Sequence, residues 1–501
     1  MHDSNEVQHL LPNALTSSEE QLKEVTEVRF NSFDDSTVAT WLSREHFEGN
    51  IAFNTAFGWL VYNGKHWEPT GKHNVIELVR QINEDTVMKA YGERSLDIET
   101  LRSLKILLSQ TKINKVVELL KGIHDVPAKE FDDKPFLLNV ENGIIDLRTG
   151  ELHPHDWKKL LIRHVSTNYL PHAVHQDWTS ALEALPHDEH DWHQRRFGQA
   201  ITGFPTSDDV LPVMMGHGEN GKSTVVVAIT SAVGEYSTAI SERLLLANPS
   251  DHPTELMSLR GVRLGFIEEL PEGKVLPVKR LKDVLGTDRL MARLVHKDNV
   301  EWETTHSLFV TTNYLPIVQE VDHATWRRLK LVIFPYRFVK GDRTLLADEK
   351  RGDSGLRQRL KQSETGQREA VLAWLVEGAV KHLANEDELN NVPDRISFDT
   401  ADWRKSVDTL HHFLTEQVDF DRSSHVMTTD LHNAYNSWVG NHDGRQVSAV
   451  TFTNQMLRHE DILSNGVSKD RISPQSGLSR PFGSAPPTNP YTAWRGIKFK
   501  K

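Results

Sequence analysis

The chain has 501 residues, 38% of them hydrophobic, no cysteine and a formal net charge of −12. Its length exceeds one compact core, so we expect about two to four domains. The lack of cysteine excludes disulfides, thiol catalysis and cysteine-ligated zinc. The negative charge means that a nucleic-acid partner would need a local basic surface. No apolar run reaches the ~20 residues of a membrane span, and the N-terminus has no signal-peptide pattern. We therefore expect a cytoplasmic protein without a membrane partner.

The chain begins with an acidic stretch. Its first 50 residues contain ten acidic and three basic side chains. With few large apolar residues, this composition predicts a mostly flexible tail over residues 1–45 that becomes ordered near VATWLSREHF, residues 38–47. An α+β domain is predicted over residues 46–194.

That N-terminal domain contains both strand and helix patterns. GWLVYNGKHWEPT, residues 58–70, predicts a hairpin with its turn at Tyr62-Asn63-Gly64. Residues 75–91 and 101–123 have helical spacing. Residues 136–152 predict two short strands with glycine-containing turns.

From residue 195 to 340 the pattern becomes strand, loop, helix and further strands, which indicates an α/β domain. A helical lid or linker is predicted over residues 341–399, including an amphipathic helix at 368–386. Residues 400–501 alternate helices with short strands, and residues 473–490 predict a flexible low-complexity loop.

The strongest motif is the glycine-rich loop GHGENGKS, which matches G-x-x-x-x-G-K-[ST] between a predicted strand and a predicted helix. Glycines let backbone N–H groups converge on phosphates, and the helix N-terminus adds a positive dipole. Lys222 is predicted to contact the β- and γ-phosphates of ATP, and the Ser223 hydroxyl to coordinate Mg²⁺. The predicted nucleotide-binding residues are Gly216, His217, Gly218, Glu219, Asn220, Gly221, Lys222, Ser223 and Thr224.

Three polar side chains downstream complete a candidate hydrolytic site. The apolar strand VRLGFIEEL contains Glu268, predicted to hold Mg²⁺ through water, and Glu269, predicted to act as base on the attacking water. The strand SLFVTTN ends in Asn313, whose amide would orient that water or contact the γ-phosphate. The plainer alternatives are a solvated strand end for the acids and a capping amide for the asparagine.

An arginine pair precedes the next predicted strand, within ATWRRLKLVIF. As an arginine finger, one of the pair would stabilise transition-state charge on a neighbouring subunit's nucleotide, an effect of about 10³–10⁵ in rate in known cases. Arg328 is favoured and Arg327 is the alternative. A basic surface turn is the plainer interpretation.

Taken in order, GHGENGKST, GFIEEL, LFVTTNYLP and DHATWRRLKLVIFPYRF resemble the superfamily-3 DNA helicases of viruses, phages and plasmids. The likeness is strongest to the helicase half of phage, plasmid and poxvirus-type primase-helicases. It implies an AAA+-like P-loop NTPase core, a helicase-associated N-terminal domain and a small winged-helix-like C-terminal domain. It also implies a hexameric ring that hydrolyses ATP between subunits and moves 3′→5′ on single-stranded DNA.

The resemblance raises the question of primer synthesis. Such proteins usually carry a primase domain before the helicase half, whereas only a short acidic stretch precedes it in this sequence. We therefore expect no primer synthesis from this chain, and a separate primase or replisome protein as its partner.

The resemblance further implies a DNA-contacting hairpin between the acidic strand and the asparagine strand. Residues 274–300 contain seven Lys or Arg against three Asp. The predicted DNA contacts are Arg293, His296 and Lys297, because basic side chains hold backbone phosphate and histidine can stack or donate. A solvated hairpin is the alternative. Lys282 fits either the nucleotide or the DNA.

The histidines of HDEHDWH, residues 187–193, lack a second ligand cluster. A solvated helix start is therefore predicted rather than a metal site.

The leading functional hypothesis is an ATP-dependent DNA helicase in phage, prophage or plasmid replication, acting on single-stranded or forked DNA. Two other classes stay open. One is an ATP-dependent ring or scaffold that is not a helicase. The other is an origin-binding initiator whose activity lies in the C-terminal domain.

Overall fold

The computed structural model of the chain describes residues 33–92, 98–246, 253–293, 300–318, 323–442, 446–481 and 487–500. Two small antiparallel sheets and a group of helices come first, a parallel sheet with flanking helices forms the centre, and a small mixed domain follows.

The N-terminal part alternates short strands with helices. In chain order its elements are α1 Asp35–Leu42, a π-helical turn Ser43–Phe47, β1 Ile51–Asn54, β2 Gly58–Tyr62, β3 Trp67–Thr70, α2 Lys72–Gly92, α3 Ile98–Leu104, a 3₁₀ turn Lys105–Leu108, α4 Gln110–Ile123, a 3₁₀ turn Ala128–Glu130, β4 Leu137–Val140, β5 Gly143–Asp146, β6 Glu151–His153, a 3₁₀ turn Trp157–Lys159, α5 Gln176–Leu182, a 3₁₀ turn His187–Glu189 and α6 His190–Ile201. The sheets are β1-β2-β3 and β4-β5-β6, both antiparallel.

A packed helix, α1, lies before residue 46, where the N-terminal domain is predicted to begin. Helix α1 buries Val38, Ala39 and Leu42, and the Lys112 ammonium of α4 forms an ion pair with Asp35 at 2.8 Å. Burial of one apolar face therefore makes residues 35–45 part of the domain, not of a tail. The predicted hairpin of β2 and β3 is confirmed.

Two local predictions need correction. Ser109 interrupts the helical stretch predicted over residues 101–123, because its side chain accepts a hydrogen bond from the Lys112 amide at 3.3 Å and starts α4. The predicted pair of strands within residues 136–152 gains a third strand, β6, paired with β5. All three β6 residues are exposed, so no apolar alternation marked that strand.

The central domain is built on one parallel sheet. In chain order its elements are β7 Leu211–Met215, α7 Lys222–Val233, a 3₁₀ turn Gly234–Tyr236, β8 Ser237–Ile240, α8 Arg243–Leu246, a 3₁₀ helix Pro253–Leu259, β9 Leu264–Glu268, α9 Val278–Leu285, β10 Arg289–Ala292, β11 Val300–Glu303, β12 Ser307–Thr312, α10 His323–Trp326, β13 Leu329–Ile333, β14 Arg337–Val339, β15 Glu349–Arg351, α11 Leu356–Gln362, α12 Gln367–Ala384, a 3₁₀ turn Glu386–Asn390 and α13 Asp394–Val407.

The five strands of this sheet lie in the order β13-β7-β12-β9-β8, and every neighbouring pair is parallel. The α/β interpretation of this region is confirmed at that level. Strand β8 was not predicted, because it is a short edge strand with a single buried residue, Ile240.

Helices α6 and α12 cross in close contact on one side of the central domain. A Cβ at Gly198 would lie 2.2 Å from backbone atoms of Gly378 and Ala379, and one at Gly378 would lie 2.0 Å from the Gln194 carbonyl oxygen. Both glycines are therefore needed for the two backbones to approach. Buried residues of α6, α7 and α12 share one core with β4 and β5.

A buried arginine joins the N-terminal part to the central sheet. Arg263, 4% exposed, donates to the Ile201 carbonyl at 2.9 Å and to the Leu137 carbonyl at 2.8 Å. Its guanidinium lies 4.5 Å from the centre of the Tyr236 ring. Because Arg263 immediately precedes β9, the start of that strand is fixed to both α6 and β4.

Helix α13 spans residue 400, where the C-terminal domain is predicted to begin. Helix α13 packs on the central sheet, where the Thr400 hydroxyl accepts from the Leu331 amide at 2.9 Å and the Trp403 indole donates to the Pro316 carbonyl at 3.3 Å. The elements that follow are α14 Thr409–Gln417, β16 Val418–Met427, α15 Thr428–Asn441, α16 Ala449–Arg458, α17 Glu460–Ser464, β17 Ser468–Ile472, β18 Leu478–Ser479 and β19 Tyr491–Phe499.

The four C-terminal strands form one sheet in the order β17-β19-β16-β18. Strand β18 lies inside the loop predicted over residues 473–490 and pairs with β16, so part of that loop is structured. Among the described helices of the chain, none is long and apolar enough to cross a membrane.

The crossing of α6 and α12 generates a stability prediction. Gly198→Ala places a methyl group against backbone that cannot swing aside, and we expect a cost of about 1–3 kcal/mol, seen as a lower thermal unfolding midpoint. Gly122→Ala in α4 is the matched control, because nothing lies within 4 Å of its Cβ position. The control should hold or raise the midpoint, since Ala is favoured over Gly in helices. An unchanged midpoint for Gly198→Ala would contradict the close crossing.

Candidate nucleotide site

The glycine-rich loop connects β7 to α7 and has the backbone that its glycines permit. Gly218, Glu219 and Gly221 have φ values of 87°, 48° and 81°, in the left-handed region that favours glycine. A Cβ at Gly216 would lie 1.5 Å from the Asn220 side-chain nitrogen. Left-handed residues in a loop before a helix turn successive backbone N–H groups toward one concave site, and such a site suits phosphate.

Lys222 connects this loop to the end of β12. Its side chain is largely buried, and its ammonium donates to the Thr312 carbonyl at 2.6 Å and to the Asn313 side-chain oxygen at 3.2 Å. Burial lowers the pKa of the Lys222 ammonium, while the negative charge of Glu269 raises it. The structure thus brings together Lys222, Asn313 and Glu269 from three separate segments.

The acid pair follows β9 at the same edge of the sheet. Glu268 is the last residue of β9 and lies opposite Thr311 of β12. Glu269 has a left-handed φ of 55°, and its amide donates to the Thr311 carbonyl at 2.8 Å. Both acids are exposed, so their carboxylates are accessible to ligand or water.

The predicted Mg²⁺ ligands fit that ion by their chemistry. Ser223 is exposed in the first turn of α7, and Glu268 ends the strand two places away in the sheet. A hydroxyl and a carboxylate offer the oxygen ligands that Mg²⁺ prefers, with room for water. His217 is exposed and Thr224 half-buried at the same loop.

The arginine pair lies at the opposite edge of the sheet. Arg327 and Arg328 precede β13, whose first residue Leu329 pairs with Leu211 at the start of β7. The glycine-rich loop follows the opposite end of β7, at Met215. That end is four residues from Leu211, which corresponds to about 13 Å at the rise per residue of a β-strand. The structure therefore does not bring the arginine pair to the loop of its own chain.

An antiparallel hairpin, β10 and β11, occupies the interval between β9 and β12, as the resemblance implied. Arg293 follows β10 and is exposed. Of the predicted DNA contacts, His296 and Lys297 lie outside the described residues. Lys282 lies half-buried on α9, and its choice between nucleotide and DNA stays open.

No pattern in the sequence indicated a role for Arg337, which the structure places beside the loop. The Phe338 amide donates to the Glu219 carbonyl at 2.7 Å, and the Arg337 guanidinium lies 3.5 Å from the Glu219 carboxylate. Its side chain is 63% exposed. The chain after β13 thus returns to the loop and places the long, cationic side chain of Arg337 there. Arg337 and its partner Glu219 are 118 positions apart in the sequence.

The histidine-rich segment 187–193 starts α6 as predicted but is only partly solvated, since His187, Asp188 and Asp191 are exposed and the rest is not. His193 and Glu189 are 3% and 1% exposed and lie 3.4 Å apart, because α6 buries this face in the core. Burial lowers the pKa of His193. In the described part of the chain no group of three or more His, Asp or Glu is arranged to hold a metal ion.

Comparison with known proteins supports the resemblance seen in the sequence. Residues 39–194 match the family described as D5 N terminal like. The chain is 25% identical over 324 residues to "Putative primase C962R" of African swine fever virus, covering 61% of this chain and 33% of that protein. It is 23% identical over 411 residues to "Putative helicase L207/L206" of Acanthamoeba polyphaga mimivirus, covering 75% and 41% respectively.

A third relative, "Putative helicase 022R" of Frog virus 3, is 26% identical over 242 residues, covering 46% of this chain and 24% of that protein. The chain therefore spans less than half the length of these relatives. Among solved structures it is similar to the apo C-terminal region of NrS-1, at 11% identity and a TM-score of 0.45, covering 92% of this chain and 99% of that one. The chain resembles the virus- and phage-type superfamily-3 primase-helicases, as its motifs indicated.

Proposed function

We propose that the chain is an ATP hydrolase with an AAA+-like core. The observation that carries this proposal is the convergence of Lys222, Asn313 and the Glu268-Glu269 pair at one edge of the parallel sheet. The Lys222 ammonium exchanges its contacts with Thr312 and Asn313 for the β- and γ-phosphates. Glu269 accepts the proton of the attacking water. Asn313 orients that water. Ser223, and Glu268 through water, would hold Mg²⁺, which when bound would neutralise charge on the phosphates.

The position of the arginine pair supports hydrolysis between subunits. Because Arg327 and Arg328 lie at the edge remote from their own loop, they serve a nucleotide only if it belongs to a neighbouring copy. We therefore propose a closed homo-oligomeric ring, a hexamer as the resemblance implies, in which one arginine stabilises transition-state charge across each boundary.

DNA unwinding is the proposed use of that hydrolysis. The β10–β11 hairpin lies in a segment rich in Lys and Arg, which suits the phosphates of single-stranded or forked DNA. The C-terminal order of one helix, one strand, three helices and three strands supports a small winged-helix-like domain. We propose 3′→5′ movement in viral, phage or plasmid replication, with a separate primase or replisome protein as partner.

The test of the proposal uses forked DNA duplexes with either a 3′ or a 5′ single-stranded tail. The full chain with ATP and Mg²⁺ should displace a strand from the 3′-tailed fork, and single-stranded DNA should raise its rate of ATP hydrolysis. Hydrolysis without displacement and without DNA stimulation would favour the non-helicase ring. Specific binding of one duplex without displacement would favour the origin-binding initiator.

Lys222→Ala should reduce ATP hydrolysis by about 10²-fold or more, because the variant lacks the cation that meets the phosphate charge. Circular dichroism should show a retained fold. Lys361→Ala removes an exposed ammonium of α11 and is the matched control, with hydrolysis as in the unsubstituted chain. Normal turnover in Lys222→Ala would refute the assignment of the loop.

Glu269→Gln should still bind ATP but hydrolyse it about 10²–10⁴-fold more slowly, because an amide cannot accept the proton of water. Binding is measured with a fluorescent ATP analogue and turnover by phosphate release. If Glu268→Gln stops turnover while Glu269→Gln does not, the two roles are reversed.

Mixed rings should show that the arginine acts across a boundary. Arg328→Ala and Lys222→Ala subunits are each inactive alone, but an exchanged mixture contains boundaries with an intact loop and an intact arginine. Hydrolysis should therefore recover in the mixture, once labelled protein has demonstrated subunit exchange. An exchanged mixture without recovery would argue against Arg328, and Arg327→Ala is then tested in the same way.

A further inference from the structure

One carboxylate binds both arginines of the pair. Asp209 Oδ2 lies 2.8 Å from Nη2 of Arg328 and 3.2 Å from Nη2 of Arg327. The Arg328 side chain is 12% exposed, whereas that of Arg327 is 48% exposed. Within this group two cations share one anion, which leaves the arginine pair with a net positive charge that favours an anionic ligand, while Asp288 and Glu303 also line the adjoining cleft.

The turn that carries Asp209 is itself held firmly. The neighbouring Asp208 accepts from the buried Arg196 at 3.0 and 2.6 Å in a two-pronged ion pair and also from the Val210 amide at 3.1 Å. Asp209 has a left-handed φ of 55°, a conformation that Asp and Asn tolerate better than most residues. The Leu211 amide then donates to the Arg328 carbonyl at 2.6 Å, which fixes the turn to the start of β13.

Arg328 keeps donors available despite these contacts. Its Nη1 donates to the Ala324 carbonyl at 2.6 Å and its Nη2 to Asp209, which occupies two of the five N–H groups of a guanidinium. Its Nε is buried and has no partner among the described residues, so the donors left for a ligand are the second N–H groups of Nη1 and Nη2. Asp209 lines an open cleft of about 630 Å³ together with residues 204–207, 285–289 and 303–304, and a Cβ at Gly286 would lie 3.5 Å from both Arg328 Nη2 and Asp209 Oδ2.

We propose that Asp209 is a positioning residue for ATP hydrolysis in the neighbouring subunit. Its carboxylate holds Arg328 by one edge of the guanidinium, at the rim of the cleft, and leaves the remaining N–H groups for a phosphate that arrives from across the boundary. This inference rests on the proposed ring ATPase. It adds to that ring a residue that contacts neither the nucleotide nor the attacking water. Because Asp209 already orients the guanidinium, Arg328 loses less side-chain entropy on binding the phosphate than a freely rotating arginine would.

Asp209→Asn tests the proposal in the full chain. Asparagine tolerates the same backbone conformation, so the substitution removes the charge with little strain. We expect kcat to fall roughly tenfold to hundredfold, as for a misplaced catalytic group, with KM for ATP and the thermal midpoint unchanged. Asp209→Glu keeps the charge and should recover part of the rate. Glu364→Gln, which neutralises an exposed acid before α12, is the control and should behave as the unsubstituted chain.

Subunit mixing separates positioning from a general structural defect. Asp209→Asn mixed with Lys222→Ala should recover hydrolysis, because the defect of the first lies on its arginine face and that of the second on its loop. Asp209→Asn mixed with Arg328→Ala should recover nothing, because both defects lie on the same face. Recovery in the second mixture, its absence in the first despite exchange, or a kcat at or above the normal value in Asp209→Asn would overturn the proposal.

The failure of this inference is distinguishable from failure of the proposed function. If Lys222→Ala and Arg328→Ala lose hydrolysis as expected while Asp209→Asn is fully active, only the role of Asp209 is refuted. If Lys222→Ala retains turnover, the ring ATPase itself is refuted, and with it the inference.

Discussion

The common direction of the five parallel strands is the constraint on which the candidate site depends. Parallel neighbours end at the same edge, so the loop after Met215, the acid at Glu268 and the amide at Asn313 meet although other elements separate them in the chain. The same direction separates Arg328 from that edge, because it precedes its strand. The parallel arrangement of the strands therefore accounts both for the convergence of the hydrolytic groups and for the proposed need for a second subunit.

The interactions of Lys222 show how such a loop exists without its ligand. A buried ammonium without partners would be costly, and the Thr312 carbonyl and Asn313 amide offset that cost. A bound phosphate would exchange these contacts for stronger, charge-assisted ones. Because the acceptors are Thr312, the last residue of β12, and Asn313, which follows it, the exchange would also release the end of β12. Occupancy of the loop and the position of the Asn313 amide are therefore linked.

Residues with strong local patterns could be predicted from the sequence. The glycine spacing identified the loop at residues 216–223, and buried apolar runs identified the strands that end in Glu268 and Asn313. The edge strands β6 and β8 were missed because they are short and mostly not buried. Asp209 and Arg337 were missed for a different reason: their partners lie 119 and 118 positions away, and no spacing rule connects residues so distant.

The packing of α1 and α13 could not be predicted for a related reason. Both helices are polar on one face, and the sequence alone does not show which neighbour covers the other face. The structure shows α1 against α4 and α13 against β13. A domain boundary is set by the packing of distant surfaces, whereas a loop motif is set by its own backbone.

Arg263 has a mechanical consequence. Its two hydrogen bonds attach the start of β9 to the end of α6 and to the start of β4, and a hydrogen bond that involves a charged group contributes about 1.5–3 kcal/mol. The strand that carries the acid pair is therefore joined directly to the N-terminal part of the chain. In the proposed ring, a displacement of β9 along its axis would break these bonds or carry α6 and β4 with it.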